Sequence, residues 1–151
     1  IEDDYKIRKS LYDIISKKPY LNILNWIDPS CHLSPGSKIG VGTIILPQVY
    51  VGYKVEIDKM CILQSGCRIE HHSKIKSFTN ICPGFLCGGF VEIGEFCQIY
   101  IGVTIFNRIS LGDNIQIGAG SLVTKSCESN YLYFGRPAKK IRKIFLNDDF
   151  I

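Results

Sequence analysis

From Ile27 to Val123 every sixth residue is aliphatic, with one exception. The series is Ile27, Leu33, Ile39, Ile45, Val51, Ile57, Leu63, Ile69, Ile75, Ile81, Cys87, Ile93, Ile99, Ile105, Leu111, Ile117 and Val123. Only Cys87 departs, and it is still small and apolar. A six-residue period fits neither the 3.6-residue helix nor the two-residue alternation of a sheet. It is the hexapeptide signature of a β-helix, in which each repeat is a short strand plus a corner. Three hexads close an 18-residue coil, so the unbroken frame predicts between five and six coils over residues 27–128. Such coils stack about 4.8 Å apart.

The fourth residue after each aliphatic forms a second column that is mostly small or β-branched, as at Cys31, Ser37, Thr43, Val49, Cys61, Ser73, Thr79 and Ser121. Two inward positions per hexad suit a narrow triangular prism. The position after the aliphatic is often Gly, as at Gly40, Gly52, Gly94, Gly112 and Gly118, which suggests corners that need unusual φ/ψ. The frame also decides the seven cysteines. Cys31, Cys61, Cys67, Cys97 and Cys127 fall in the small inward column, Cys87 falls in the aliphatic column, and only Cys82 lies outside both. No C-x-x-C pair exists. The cysteines therefore read as small buried hydrophobes rather than metal ligands or disulfides. Unpaired core thiols in turn suggest a reducing, cytoplasmic compartment.

The flanks fall outside the repeat. In residues 1–26, Asp4 to Lys18 has a helical pattern, with Ile7, Leu11, Ile14 and Ile15 on one apolar face and Asp3 or Asp4 placed to cap it. This helix would either cap the first coil or belong to a preceding domain. Residues 129–135 read as a final strand and turn, followed by a basic tail, Arg136-Pro137-Ala138-Lys139-Lys140-Ile141-Arg142-Lys143. No apolar run approaches the roughly 20 residues of a membrane span, and no signal peptide is evident. The chain starts at Ile1, so a fragment or a processed chain is expected.

The frame, together with Ile69-Glu70-His71-His72 and Asn80-Ile81-Cys82-Pro83-Gly84, resembles the left-handed β-helix acyltransferases that acetylate sugars. Within them it is most similar to the sialic acid O-acetyltransferase and UDP-4-amino-sugar N-acetyltransferase types. Ile115 to Lys125 and Phe134-Gly135-Arg136-Pro137-Ala138-Lys139 support the resemblance, which covers essentially the whole chain. It implies an all-β fold: a left-handed parallel β-helix with an N-terminal helix and a short C-terminal strand and tail. It further implies that residues 1–26 are the helical remnant of a small Rossmann-like domain. Relatives are homotrimers with the acyl-CoA site between two subunits, so a homotrimer is expected, with no nucleic-acid or membrane partner.

The resemblance also implies an activity: acetyl-CoA-dependent N-acetylation of a nucleotide-linked amino sugar, a 4-amino-4,6-dideoxy sugar being expected. O-acetylation of a sugar or sialic acid by the same site is the alternative, and a trimeric scaffold without activity is the non-enzyme reading. A metal-bearing hydratase would want several spaced histidines, whereas this chain has only His32, His71 and His72. No metal is therefore expected.

Acetyl transfer from a thioester needs a base for the nucleophile's proton, and an imidazole titrating near neutrality fits that task. By resemblance His71 is that base. His72 stands where relatives carry Asp or Glu and cannot supply their charge, which leaves it as a substrate contact or a passive surface residue. Glu70 is then the nearest acid and the second catalytic candidate. Gln64, His72 and Thr79 are the substrate-binding candidates. Asn80 stands where relatives often have a second His near acetyl-CoA. Gly89, in Cys87-Gly88-Gly89, would offer a backbone N–H to the developing oxyanion. Ile101 and Ala119 lie where the pantetheine arm runs, and Lys125, Arg136 and Lys139 would meet the CoA phosphates. A covalent route through Cys82 is conceivable chemistry, but the family transfers directly.

Overall fold

A computed structural model describes residues 5–145. The six-residue frame is realised throughout as two-residue strands ending on the aliphatic, from Trp26–Ile27 to Leu122–Val123. From Trp26–Ile27 to Thr104–Ile105 each strand pairs in parallel with the one 18 residues on, as in Ile27↔Ile45, Ile45↔Leu63, Leu63↔Ile81 and Ile81↔Ile99. The result is a parallel β-solenoid of about six turns. It has three sheets, of eight, six and five strands. The first sheet starts with Trp26–Ile27, the second with His32–Leu33 and the third with Lys38–Ile39.

The aliphatic column fills the prism. From Ile45 to Val123 its members are almost wholly buried, and Cys87 is 1% exposed among them. Each fully buried Ile or Leu is worth about 1.5–3 kcal/mol relative to exposure. The second column does more than pack. The Thr43 hydroxyl donates to the Asp58 carbonyl at 2.8 Å, and the Ser73 hydroxyl to Gly88 at 3.3 Å. The thiols of Cys31, Cys61, Cys67 and Cys97 point at the carbonyls of Leu46, Lys76, Cys82 and Gly112 at 3.1–3.2 Å. Small donors in this column thus satisfy corner carbonyls of the next coil, which would otherwise be buried without partners. None of the seven cysteines forms a disulfide, and burial pushes the thiols of Cys61, Cys67 and Cys97 up to about 12.

The structure corrects the reason for the corner glycines. The left-handed conformation falls two residues later than expected, at Gly36, Gly66, Gly84 and Gly120 but also at His72, Phe78, Phe90 and Arg108. Gly40 and Gly52 have ordinary φ but no room: a Cβ on Gly40 would lie 2.5 Å from the Asp58 carbonyl carbon, and one on Gly52 2.8 Å from the His71 nitrogen. Close approach of the next coil, not backbone conformation, selects glycine there.

Both flanks hold the expected helix and final strand, with different packing. The helix, Tyr5–Ile15, does not cap the first coil, and Ile7, Leu11 and Ile14 stay exposed. Its packed face carries Tyr5, Arg8 and Tyr12, laid along the corner between the third and first sheets. Tyr5 meets Phe96, Tyr12 meets Phe78, and the Arg8 guanidinium donates to the Phe78 carbonyl at 2.9 Å. The proposed caps Asp3 and Asp4, and the last stretch from Asn147, lie outside the described residues. The basic tail is in fact a strand, Ala138–Lys143, which pairs antiparallel with Tyr131–Gly135 and ends the first sheet. The Arg136–Pro137 peptide of this hairpin is cis.

Candidate active site

His71 sits at the corner after Arg68–Ile69, where the chain turns from the second sheet to the third. The frame sends Ile69 inward, so the corner residues that follow face solvent, and the His71 side chain is exposed. Its ring lies over Gly89, the equivalent residue of the next coil. A Cβ on Gly89 would fall 2.5 Å from His71 Cε1 and 2.7 Å from Nε2. Gly89 is buried beneath the imidazole.

His72 adopts φ of 59°, which turns its ring along the corner rather than away from it. Its Nδ1 is 3.1 Å from Nδ1 of His71. The His72 ring stacks on Phe90 at 4.8 Å and 10°, and Tyr53 meets it edge-on from the coil below at 5.6 Å. Arg108, one coil above, lays its guanidinium over Phe90 at 4.8 Å. Lys54, His72, Phe90 and Arg108 are the left-handed residues of four successive coils, which is why their side chains form one column. His72 thus has a packed, half-buried place against His71. Nothing in sequence spacing marked this pairing, because it depends on the φ of one corner residue.

Glu70 makes no hydrogen bond to His71 among the described residues. It lines instead a cavity of about 390 Å³ beside the corner, with Leu86, Gly88, Thr104, Phe106 and Asn107. Thr79 is corrected as a substrate contact. It is 0% exposed, its hydroxyl donates to the Gly94 carbonyl at 2.8 Å, and it accepts from the Cys97 N–H at 3.1 Å. No surface remains for a ligand, and the hydroxyl's proton is already donated.

The other candidates gather elsewhere. Gln64, Cys82, Ile101 and Ala119 lie at the corner between the first and second sheets, one prism edge away from His71. Cys82 is thus not a neighbour of His71, and it accepts from the Gln98 amide at 3.4 Å. Ala119 lines a cavity of about 430 Å³ with Tyr100, Gly118, Leu132, Phe134 and Ile141. Arg136, on the hairpin beside it, donates to the Gly120 carbonyl at 3.2 Å, and Lys139 is exposed. Lys125 stands on the His71 corner three coils higher, exposed. Asn80, on the first sheet, is 1% exposed and neither side-chain polar atom has a partner. Among the described residues no group of three or more His, Cys, Asp or Glu could hold a metal ion, and no helix is long and apolar enough to cross a membrane.

No family model matches the chain. A Schizosaccharomyces pombe protein named as a candidate acetyltransferase is 46% identical over 46 residues, and the chain spans 22% of that protein's length. Among solved structures, PerB of Caulobacter crescentus, determined with CoA and GDP-perosamine, matches with a TM-score of 0.89 at 23% identity, over 93% of this chain and 68% of that one. The acetyltransferase domain of PglB from Neisseria gonorrhoeae, determined with acetyl coenzyme A, gives 0.90 at 21% identity, over 93% and 68%. WeeI from Acinetobacter baumannii gives 0.87 at 20%. These comparisons establish the fold: the chain is a hexapeptide-repeat β-solenoid of the kind seen in these proteins.

Proposed function

We propose that the chain is an acetyl-CoA-dependent N-acetyltransferase of a nucleotide-linked amino sugar, a 4-amino-4,6-dideoxy sugar, with His71 as general base. The observation that carries this reading is the seating of His71: an exposed imidazole on a rigid corner, held at Nδ1 and laid over a glycine that has no side chain to displace it. With Nδ1 engaged, Nε2 is the nitrogen left to take a proton. The amine attacks the thioester carbonyl, its proton passes to Nε2, the C–S bond breaks, and the proton leaves on the CoA thiol. The N–H of Gly89 donates to no group among the described residues and offers a site for the oxyanion. That the PerB structure holds CoA and GDP-perosamine, and the PglB domain acetyl-CoA, supports the same ligands here.

The apolar cavity at Ala119 suits a pantetheine arm, with Ile101 nearby and Arg136, Lys139 and Lys125 as phosphate partners. The histidine corner and the Ala119 corner bound the two edges of the second sheet, so one chain holds them apart. A homotrimer closing on this sheet sets one subunit's His71 against its neighbour's Ala119. Exposed Leu86, Ile101 and Phe106 on that sheet and its corners are the apolar surface such closure would cover.

The test is acetyl-CoA consumption with a panel of GDP-, UDP- and dTDP-linked amino sugars and their hydroxyl counterparts. Turnover confined to amino sugars supports the reading. Turnover with hydroxyl sugars alone replaces it by O-acetylation.

A further inference from the structure

We propose that His72 is a positioning residue for His71: it accepts a hydrogen bond from His71 Nδ1–H and so fixes the tautomer in which Nε2 is bare. The inference rests on the acetyltransfer reading and assigns His72 the place that a carboxylate would otherwise take.

A contact of 3.1 Å between two Nδ1 atoms needs one proton, on one of them. If His71 donates, its Nε2 is unprotonated and basic, and His72 carries its proton on Nε2. If His72 donates, His71 must carry its proton on Nε2 and cannot act as a base. When His71 takes the amine's proton on Nε2, the first arrangement keeps its hydrogen bond intact, because Nδ1–H still points at a neutral acceptor. A second proton on His72 would place N–H against N–H and break the contact. The pair thus works with one positive charge at most.

The surroundings favour the first arrangement. Tyr53 from the coil below and Phe90 from the coil above pack on His72, and the charged residues nearest it in the frame are Lys54, Glu70 and Arg108. Arg108 reaches it only through the Phe90 ring, and Lys54 sits over Tyr53 at 5.2 Å. Among the described residues no donor other than His71 lies on His72 Nδ1, which leaves that nitrogen to accept. Stacking on Phe90 and the edge of Tyr53 hold its ring plane, so Nδ1 stays aimed at His71.

His72→Phe and His72→Asp separate this role from packing. Phe keeps the stack and removes the acceptor, and the same left-handed position already holds Phe in other coils, at Phe78, Phe90 and Phe96. Asp restores an acceptor, with charge, and tolerates positive φ. The expected result is a fall in kcat of roughly 10- to 100-fold for His72→Phe, part of what a general base contributes, with KM for acetyl-CoA unchanged. His72→Asp should recover most of that loss. Its acid limb should lie at higher pH than wild type, because a carboxylate holds the imidazolium more tightly than an imidazole does. Wild-type kcat and an unmoved acid limb in both variants would overturn the proposal. Imidazole ¹⁵N spectra of the wild-type protein supply a readout independent of turnover: one protonated Nδ1, assigned to His71 and lost in His72→Phe. Finding Nδ1 of His71 unprotonated sinks the proposal even where turnover is seen. Finding it protonated while no acceptor is acetylated sinks the functional reading and leaves the pairing standing.

Discussion

Gly89 lacks a side chain where the imidazole of His71 lies: a Cβ there would approach Cε1 to 2.5 Å. Real Cβ atoms do not come so close, so Gly89→Ala must push the ring off its seat. Gly89 has no left-handed φ to lose, and the corner is at the surface of the prism. We expect Gly89→Ala to fold with a melting temperature close to wild type and to lose acetyl transfer by at least roughly 10-fold, a part of the general-base contribution. Circular dichroism and the rate assay check the two halves of this expectation.

Thr79 is a packing residue, and its substitution should show it. In Thr79→Val the Cys97 N–H and the Gly94 carbonyl lose their partner. Leaving such groups buried costs about 1–3 kcal/mol each. Denaturant unfolding should register the loss, while KM for the acceptor sugar stays at the wild-type value. A selective rise in that KM would restore Thr79 to the site.

The buried thiols give a pH dependence. Burial pushes Cys61, Cys67 and Cys97 up to about 12 and Cys87 and Cys127 to about 11, from 9.0. Between pH 9 and 11 the unfolded chain sheds these protons and the folded chain keeps them. The unfolded state then binds fewer protons, so stability is intact below pH 9 and falls as pH rises above it. Urea midpoints at pH 8 and pH 10 should differ accordingly, and replacing Cys61 and Cys97 by Ala should flatten the slope while lowering stability at pH 8.

Cys87 and Phe85 predict a coupled pair. In one coil the aliphatic column holds a small residue and the small column holds a large one, Phe85, which is 0% exposed. Cys87→Ile alone should overpack and destabilise by about 1–3 kcal/mol. Adding Phe85→Val should recover part of that cost, a non-additive result that a double-mutant cycle measures directly.

The six-residue frame carried most of the fold, because each repeat obeys the same local rule and no insertion disturbs it. It placed His71 on an outward corner and five of the six column cysteines inside, with Cys31 of the first coil half-buried. What it did not carry depends on contacts between coils. The corner glycines are explained by the approach of the next coil, and the left-handed residues fall where no glycine is required, His72 among them. The helix faces the solenoid with Tyr5, Arg8 and Tyr12 because Phe78 and Phe96 project from the corner, a match invisible to the apolar periodicity of Ile7, Leu11 and Ile14. Thr79 read as polar and available, although its place in the inward column already implied burial. The separation of His71 from Ala119 by one prism edge follows from where each falls in the 18-residue coil, and it is the reason a single chain holds only half of the proposed site at each corner.

The proposed function stands or falls on His71 taking a proton during acetyl transfer. The direct measurement is single-turnover acetylation of the preferred nucleotide-linked amino sugar by wild type and His71→Asn, with acetyl-CoA binding measured in parallel. The variant is expected to bind acetyl-CoA as wild type does and to transfer the acetyl group roughly 10²- to 10⁴-fold more slowly. Transfer at the wild-type rate by His71→Asn would contradict it.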